Sequence, residues 1–93
     1  MEDKVCAHVV IRGRVQGVCF RMETKYIAET HGIMGWVRNR SDGTVEALFE
    51  GEKQKVDSML KWCESGPSLS KVDQVSVNWK KYSGCFIGFE IRR

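Results

Sequence analysis

The run Ile11-Arg-Gly-Arg-Val-Gln-Gly-Val-Cys-Phe-Arg21 collects residue types that can hold an anion. An apolar strand passes through two glycines and ends on an arginine at the start of an amphipathic helix. A turn of small residues leading into a helix N-terminus aims several backbone N–H groups at one point, where a phosphate can sit. Arg21 adds a planar fork of donors matched to two phosphate oxygens. The helix dipole disfavours a cation at that position unless an anion meets it there. The second group of interest is Asn39, whose amide can accept a hydrogen bond from water and donate another. From its place in a turn alone, Asn39 reads first as a residue satisfying its own backbone.

The elements that must position these groups follow from apolar spacing. Val5, Ala7, Val9 and Ile11 alternate with Cys6, His8, Val10 and Arg12, which predicts a strand over residues 5–12 with one fully buried face. After the glycine turn, Phe20, Thr24, Ile27 and Ala28 repeat at helical spacing, and Gly32 supplies a left-handed cap. Strands are expected over 34–38 and 44–50, joined by Asn39-Arg-Ser-Asp-Gly43 as a hairpin turn. Val56, Met59, Leu60 and Cys63 mark a second helix, which Gly66 and Pro67 end. Val72, Val75, Val77 and Trp79 form a fourth strand, and residues 86–91 are expected to form a short fifth.

This order is β-α-β-β-α-β plus a short extra strand, within one domain spanning residues 1–93. Two helices of such length cover one face of a mainly antiparallel sheet, the ferredoxin-like split β-α-β sandwich of the α+β class. Right-handed crossover makes the first two strands parallel. Their C-terminal ends therefore share one sheet edge, where the glycine turn and Asn39 meet. Arg14 and Arg38 are expected to flank that edge.

Composition narrows the class. Hydrophobic residues at 42% and charged residues at 29% suit a globular protein, and a net charge of +3 favours a small anion over a nucleic-acid backbone. Cys6, Cys19, Cys63 and Cys85 form no Cys-x-x-Cys pair, so the expectation is four free, buried or partly buried thiols and no metal site. With no leader-like start and no long apolar run, the expected location is cytoplasmic, with no membrane partner.

Gly13-Arg-Val-Gln-Gly-Val-Cys-Phe-Arg21, together with Gly35-Trp-Val-Arg-Asn39, Gly43, Val45 and Gly51, resembles the two signatures of the acylphosphatase family. The resemblance spans nearly the whole chain. It implies a ferredoxin-like fold, hydrolysis of carboxyl-phosphate bonds without metal or organic cofactor, phosphate held at Arg21 and water held at Asn39. Some family members carry a disulfide from the first strand to the third. Cys6 stands where one partner would be, but Val45-Glu-Ala-Leu-Phe49 offers no cysteine, so that bridge is not expected.

The residues can support this chemistry. A carboxylate leaving group has a pKa of about 4 to 5, so it departs without a general acid. The work left is to hold the phosphoryl group and orient water in line with the leaving oxygen. The expected phosphate ligands are the N–H groups of Val15, Gln16, Gly17, Val18 and Cys19, with the Arg21 guanidinium. Arg21 and Asn39 are the expected catalytic residues. A phosphate oxygen would take the proton, since Asn39 is no base. Cys19 is not expected to be a nucleophile, because its spacing to Arg21 is too short for a cysteine-phosphatase loop. His8 and His31 are expected to be structural. The partner called for is a small acyl phosphate, with inorganic phosphate as product and competitive inhibitor, acting on a monomer. A catalytically weak phosphate or acyl-phosphate binder is the main alternative. An RNA-binding module is the lesser one, because Phe86 and Phe89 lie outside the third strand, where that fold carries its stacking aromatics.

Overall fold

The computed structural model describes residues 3–93. Its elements are β1 (Lys4–Arg14), α1 (Phe20–Thr30), β2 (Met34–Asn39), β3 (Val45–Glu52), α2 (Lys53–Ser65), β4 (Lys71–Lys80) and β5 (Phe89–Arg92). The strands form one sheet in the order β4-β1-β3-β2-β5. β1 and β2 both run antiparallel to β3 and are therefore parallel to each other, while β5 adds parallel to β2. This is the two-layer split β-α-β sandwich that the spacing predicts.

Strand alternation sets the core. Ala7, Val9 and Ile11 of β1, Val37 of β2, and Val45, Ala47 and Phe49 of β3 are buried, all facing the helices. α1 covers β2 and β5, and α2 covers β4, β1 and β3. The helices meet where Phe20 packs against Trp62, their ring centroids 5.3 Å apart. Burying rings such as Phe20 and Phe49 contributes roughly 1.5–3 kcal/mol each. Gly35 lies between Phe49 and Phe89 in register, and the two rings stack across it with centroids 5.8 Å apart.

α1 stops as its sequence requires. The N–H of Ile33 reaches the Ala28 carbonyl at 2.8 Å and that of Gly32 reaches Glu29 at 3.2 Å, with Gly32 at φ 68°. This is the paired-bond ending that a left-handed glycine permits.

Two expectations are corrected here. β5 begins at Phe89, not at residue 86. The preceding segment is drawn to Glu50 on the open side of the sheet, whose carboxylate accepts from the N–H groups of Ser83 (2.8 Å) and Gly84 (3.1 Å). Those bonds keep it off the sheet edge until Gly88, whose carbonyl accepts from Gly35. All four cysteines are free, but Cys19 and Cys85 are exposed, not buried or partly buried. Cys19 sits in the loop mouth and Cys85 in the crossing between β4 and β5, where no layer covers them.

Candidate active site

β1 ends at the same edge as β2, and the loop between β1 and α1 closes over that edge. Gly13 opens the loop at φ 129°, where a side chain would run into the Lys71 carbonyl of β4. Gly17 follows at φ 75°, and Cys19 at φ 64° is the one non-glycine residue with positive φ among the described residues. Left-handed backbone costs an ordinary side chain on the order of 1–2 kcal/mol. Such strain concentrates at functional sites.

Cys19 is also the N-cap of α1, and its side chain makes no cap hydrogen bond. Its carbonyl accepts from Glu23 at 3.1 Å, so the helix starts properly while its leading donors stay open. Among the described residues, the N–H groups of Gly17, Val18, Cys19, Phe20 and Arg21 donate to no protein acceptor. A helix start with open N–H groups and an arginine is an anion site in waiting.

The other wall is the hairpin turn. Asn39 is the last residue of β2, and alternation from the buried Val37 turns it to the helix side. Its Oδ1 is buried and has no hydrogen-bond partner. The turn is held by Asp42, which accepts from Thr44 Oγ1 at 2.6 Å and the Thr44 N–H at 3.0 Å. Those bonds, side chain first, hold the Asp42 carboxyl below its ordinary pKa. Gln16 ties the loop to this turn, its amide donating to the carbonyls of Arg40 (2.8 Å) and Thr44 (2.9 Å).

Val15, Cys19, Arg21 and Asn39 thus line one open cleft of about 620 Å³, together with Phe20, Met22, Ile91 and Arg93. Gln16, Gly17 and Val18, expected as phosphate ligands, are not among the residues that line it. The Gln16 side chain turns to the hairpin, Gly17 has none, and Val18 is packed into the core. What these three present to the loop is backbone. No Asp or Glu side chain lines the cleft, and among the described residues Arg21 has no acidic partner.

Other residues fall elsewhere. Arg38 does not flank the cleft, because alternation sends it to the open face, where its Nε donates to Glu46 at 2.6 Å. Arg14 is exposed at the end of β1 and is not among the lining residues. His8 meets Glu46 at 2.6 Å on the open face, away from the cleft. Burial acts to raise the Glu46 pKa, but the bonds from His8 and Arg38 outweigh it and hold the carboxyl below its ordinary range. Burial, with Glu50 beside it, pushes the Cys6 thiol up to about 11.

Sequence reading missed the cleft's far side. Met22 is 63% exposed and Ile91 is 39% exposed, both apolar at the cleft wall. The signal was present. Met22 falls outside the buried helical period of Phe20, Thr24 and Ala28, and Ile91 shares its strand face with the core residue Phe89. The clamp made by the Gln16 side chain left no such trace, since it joins residues far apart in the chain.

Among the described residues, no group of three or more His, Cys, Asp or Glu is placed to hold a metal ion. No helix is long and apolar enough to cross a membrane. Residues 7–91 match the family model described as Acylphosphatase. A protein of Roseiflexus sp. named acylphosphatase is 52% identical over 98% of this chain and 98% of its own length. Another of that name, from Pelotomaculum thermopropionicum, is 51% identical over 91% of this chain and 92% of its own. The structure of an acylphosphatase from Coxiella burnetii superposes with a TM-score of 0.92, at 32% identity, covering 97% of this chain and 94% of that one.

Proposed function

The chain belongs to the acylphosphatase family of enzymes, and from that premise we propose how it cleaves a small acyl phosphate. The phosphoryl group sits in the loop between β1 and α1, on the N–H groups of residues 15–19 and the Arg21 fork. Asn39 holds the attacking water from the opposite wall. The water oxygen bonds to phosphorus as the bond from phosphorus to the acyl oxygen breaks. The carboxylate leaves unprotonated, and the water proton passes to a phosphate oxygen, giving inorganic phosphate with no covalent intermediate.

The buried, unpartnered Oδ1 of Asn39 carries this reading. A buried acceptor left open costs about 1–3 kcal/mol. Asn39 lines a cleft that also holds open N–H donors and an unpaired arginine. A water bonded to Oδ1 satisfies the orphan and stands beside the phosphate seat. The charges that a metal would supply in other phosphoryl transfers fall here to Arg21 and the helix start, so the reaction is proposed to run without metal or organic cofactor. The protein is proposed to act as a cytoplasmic monomer, with phosphate as a competitive inhibitor and no nucleic-acid or membrane partner. The RNA-module alternative gains no support, because Phe89 packs in the core and the open faces of β1 and β3 carry no Phe, Tyr or Trp.

The test is hydrolysis of benzoyl phosphate with chelator present, by wild type and Asn39→Ala. Turnover in the wild type, lost in the variant while phosphate still protects both against heat, is the expected result. Phosphate protection without turnover in either would make the protein a binder.

A further inference from the structure

The cleft is larger than its proposed phosphate seat requires. Clefts of about 300–1,000 Å³ hold whole small organic molecules, and this one measures about 620 Å³. The chemistry above uses backbone donors, Arg21 and Asn39, and leaves Met22 and Ile91 without a task. Both line the cleft, and both are among the large apolar side chains that the fold leaves exposed, Met22 at 63% and Ile91 at 39%. Met22 lies in the first turn of α1, off the face that Phe20, Thr24 and Ala28 bury. Helical side chains lean toward the N-terminus of their helix, so Met22 leans toward the loop. Ile91 pairs with Val37 of β2, which precedes Asn39 by two residues, and α1 packs over both β2 and β5. Helix and sheet each bring one apolar group to the same opening.

Burial tells the two ends of the cleft apart. Asn39 Oδ1 is buried, so the water it holds in the proposed mechanism lies at the closed end. In-line displacement sets the leaving oxygen opposite that water. The acyl group then points to the open end, where Met22 and Ile91 are exposed. We propose that Met22 and Ile91 form an apolar acyl subsite, which makes acyl phosphates with apolar acyl groups the preferred substrates. A methionine side chain is flexible and polarizable, so the subsite accepts a range of apolar shapes. No Asp or Glu side chain lines the cleft to reward an acyl group bearing an ammonium. Arg93 lines it and is exposed, but an ion pair open to water gains little. Covering apolar surface gains in proportion to its area. This assignment rests on the hydrolase reading above.

The test measures kcat/KM for acetyl, butyryl and succinyl phosphate in wild type, Met22→Ser, Met22→Leu and Ile91→Thr. Acetate and butyrate are leaving groups of nearly equal acidity, so their ratio reads acyl contact and not reactivity. Succinyl phosphate matches butyryl phosphate in length but ends in a carboxylate. Wild type is expected to prefer butyryl over acetyl phosphate about 3- to 10-fold. The preference should lie mainly in KM, because the contact is made in ground and transition states alike. Met22→Ser should lower the ratio to about twofold or less, Ile91→Thr should lower it in part, and Met22→Leu should keep most of it. An unchanged ratio in either Met22→Ser or Ile91→Thr would overturn the proposal. So would a wild type that prefers succinyl phosphate, which would give the rim to Arg93. Thermal protection by acetylphosphonate and butyrylphosphonate, whose carbon–phosphorus bond the reaction does not cleave, reads the same ratio from binding alone. A wild type that turns over none of the three phosphates would overturn the hydrolase reading, while the phosphonate ratio still judged the subsite.

Discussion

Asn39 and Glu50 place buried polar oxygens at opposite ends of a pair of neighbouring strands, and the fold treats them in opposite ways. Glu50, 1% exposed, faces the open side of β3 opposite Met34. Its carboxylate accepts from the Ser83 hydroxyl (2.8 Å) and from the N–H groups of Ser83 and Gly84. Asn39 lies at the other end of β2, and its Oδ1 accepts from nothing. Both oxygens lose water on folding, yet only one is repaid with protein donors. A fully bonded buried carboxylate is a device for holding chain in place, here the crossing from β4 to β5. An open acceptor beside open donors is a device for holding something that is not protein. On the proposed function the two ends of the sheet divide the work, one closing the fold and the other keeping bonds free for a substrate.

Substitutions at the open end should damage activity and spare the fold. The largest effect is expected from Arg21→Ala, which should lower kcat/KM by about three orders of magnitude and abolish phosphate protection. A variant that keeps its phosphate affinity would remove Arg21 from the phosphate seat. Asn39→Ala should come next, with kcat down about 100-fold or more, phosphate affinity little changed and Tm equal or higher, since an unsatisfied acceptor has gone. Near-full activity in that variant would mean that the water is held by something else.

The sequence carried different parts of this contrast unequally. The cradle was legible, because Gly13, Gly17 and Arg21 lie in one short stretch of chain and their backbone needs are local. The meeting of that cradle with Asn39 was legible too, since it follows from two parallel strands with a third between them. The Glu50 clamp was not. Its donors are 33 and 34 residues away in sequence and belong to a segment with no periodicity. Glu50 itself reads as one more polar residue on the outer face of β3. The parallel addition of β5 to β2 escaped for a related reason, since no local pattern announces it.

At the closed end the signs reverse. Glu50→Gln keeps the shape but offers an NH₂ where the N–H groups of Ser83 and Gly84 need an acceptor. A donor left unpaired costs about 1–3 kcal/mol. In a domain of this size each kcal/mol lowers Tm by about 4–8 °C. Benzoyl phosphate turnover at 25 °C should stay within about twofold, because the clamp lies at the end of the sheet away from the cleft. A loss of kcat comparable to that of Asn39→Ala would show that the two ends are coupled and that the division fails.

The smallest effect should be the one read from acid unfolding. Burial acts to raise the Glu50 pKa, but the Ser83 and Gly84 donors prevail and hold the folded carboxyl below its ordinary range. The unfolded carboxyl, near 4.3, then binds the proton first as pH falls. Stability from this group is complete above the unfolded pKa and is lost as pH falls through the folded one. Wild-type stability should therefore decline more steeply than that of Glu50→Gln below about pH 5, and the gap between them should narrow. Glu46 and Asp42, held low by their own donors, leave the variant a residual slope of the same sign. Parallel acid limbs in urea titrations of the two proteins would mean that Glu50 is no better bonded in the fold than in the open chain. The contrast with Asn39 would then rest on geometry that the protein does not use.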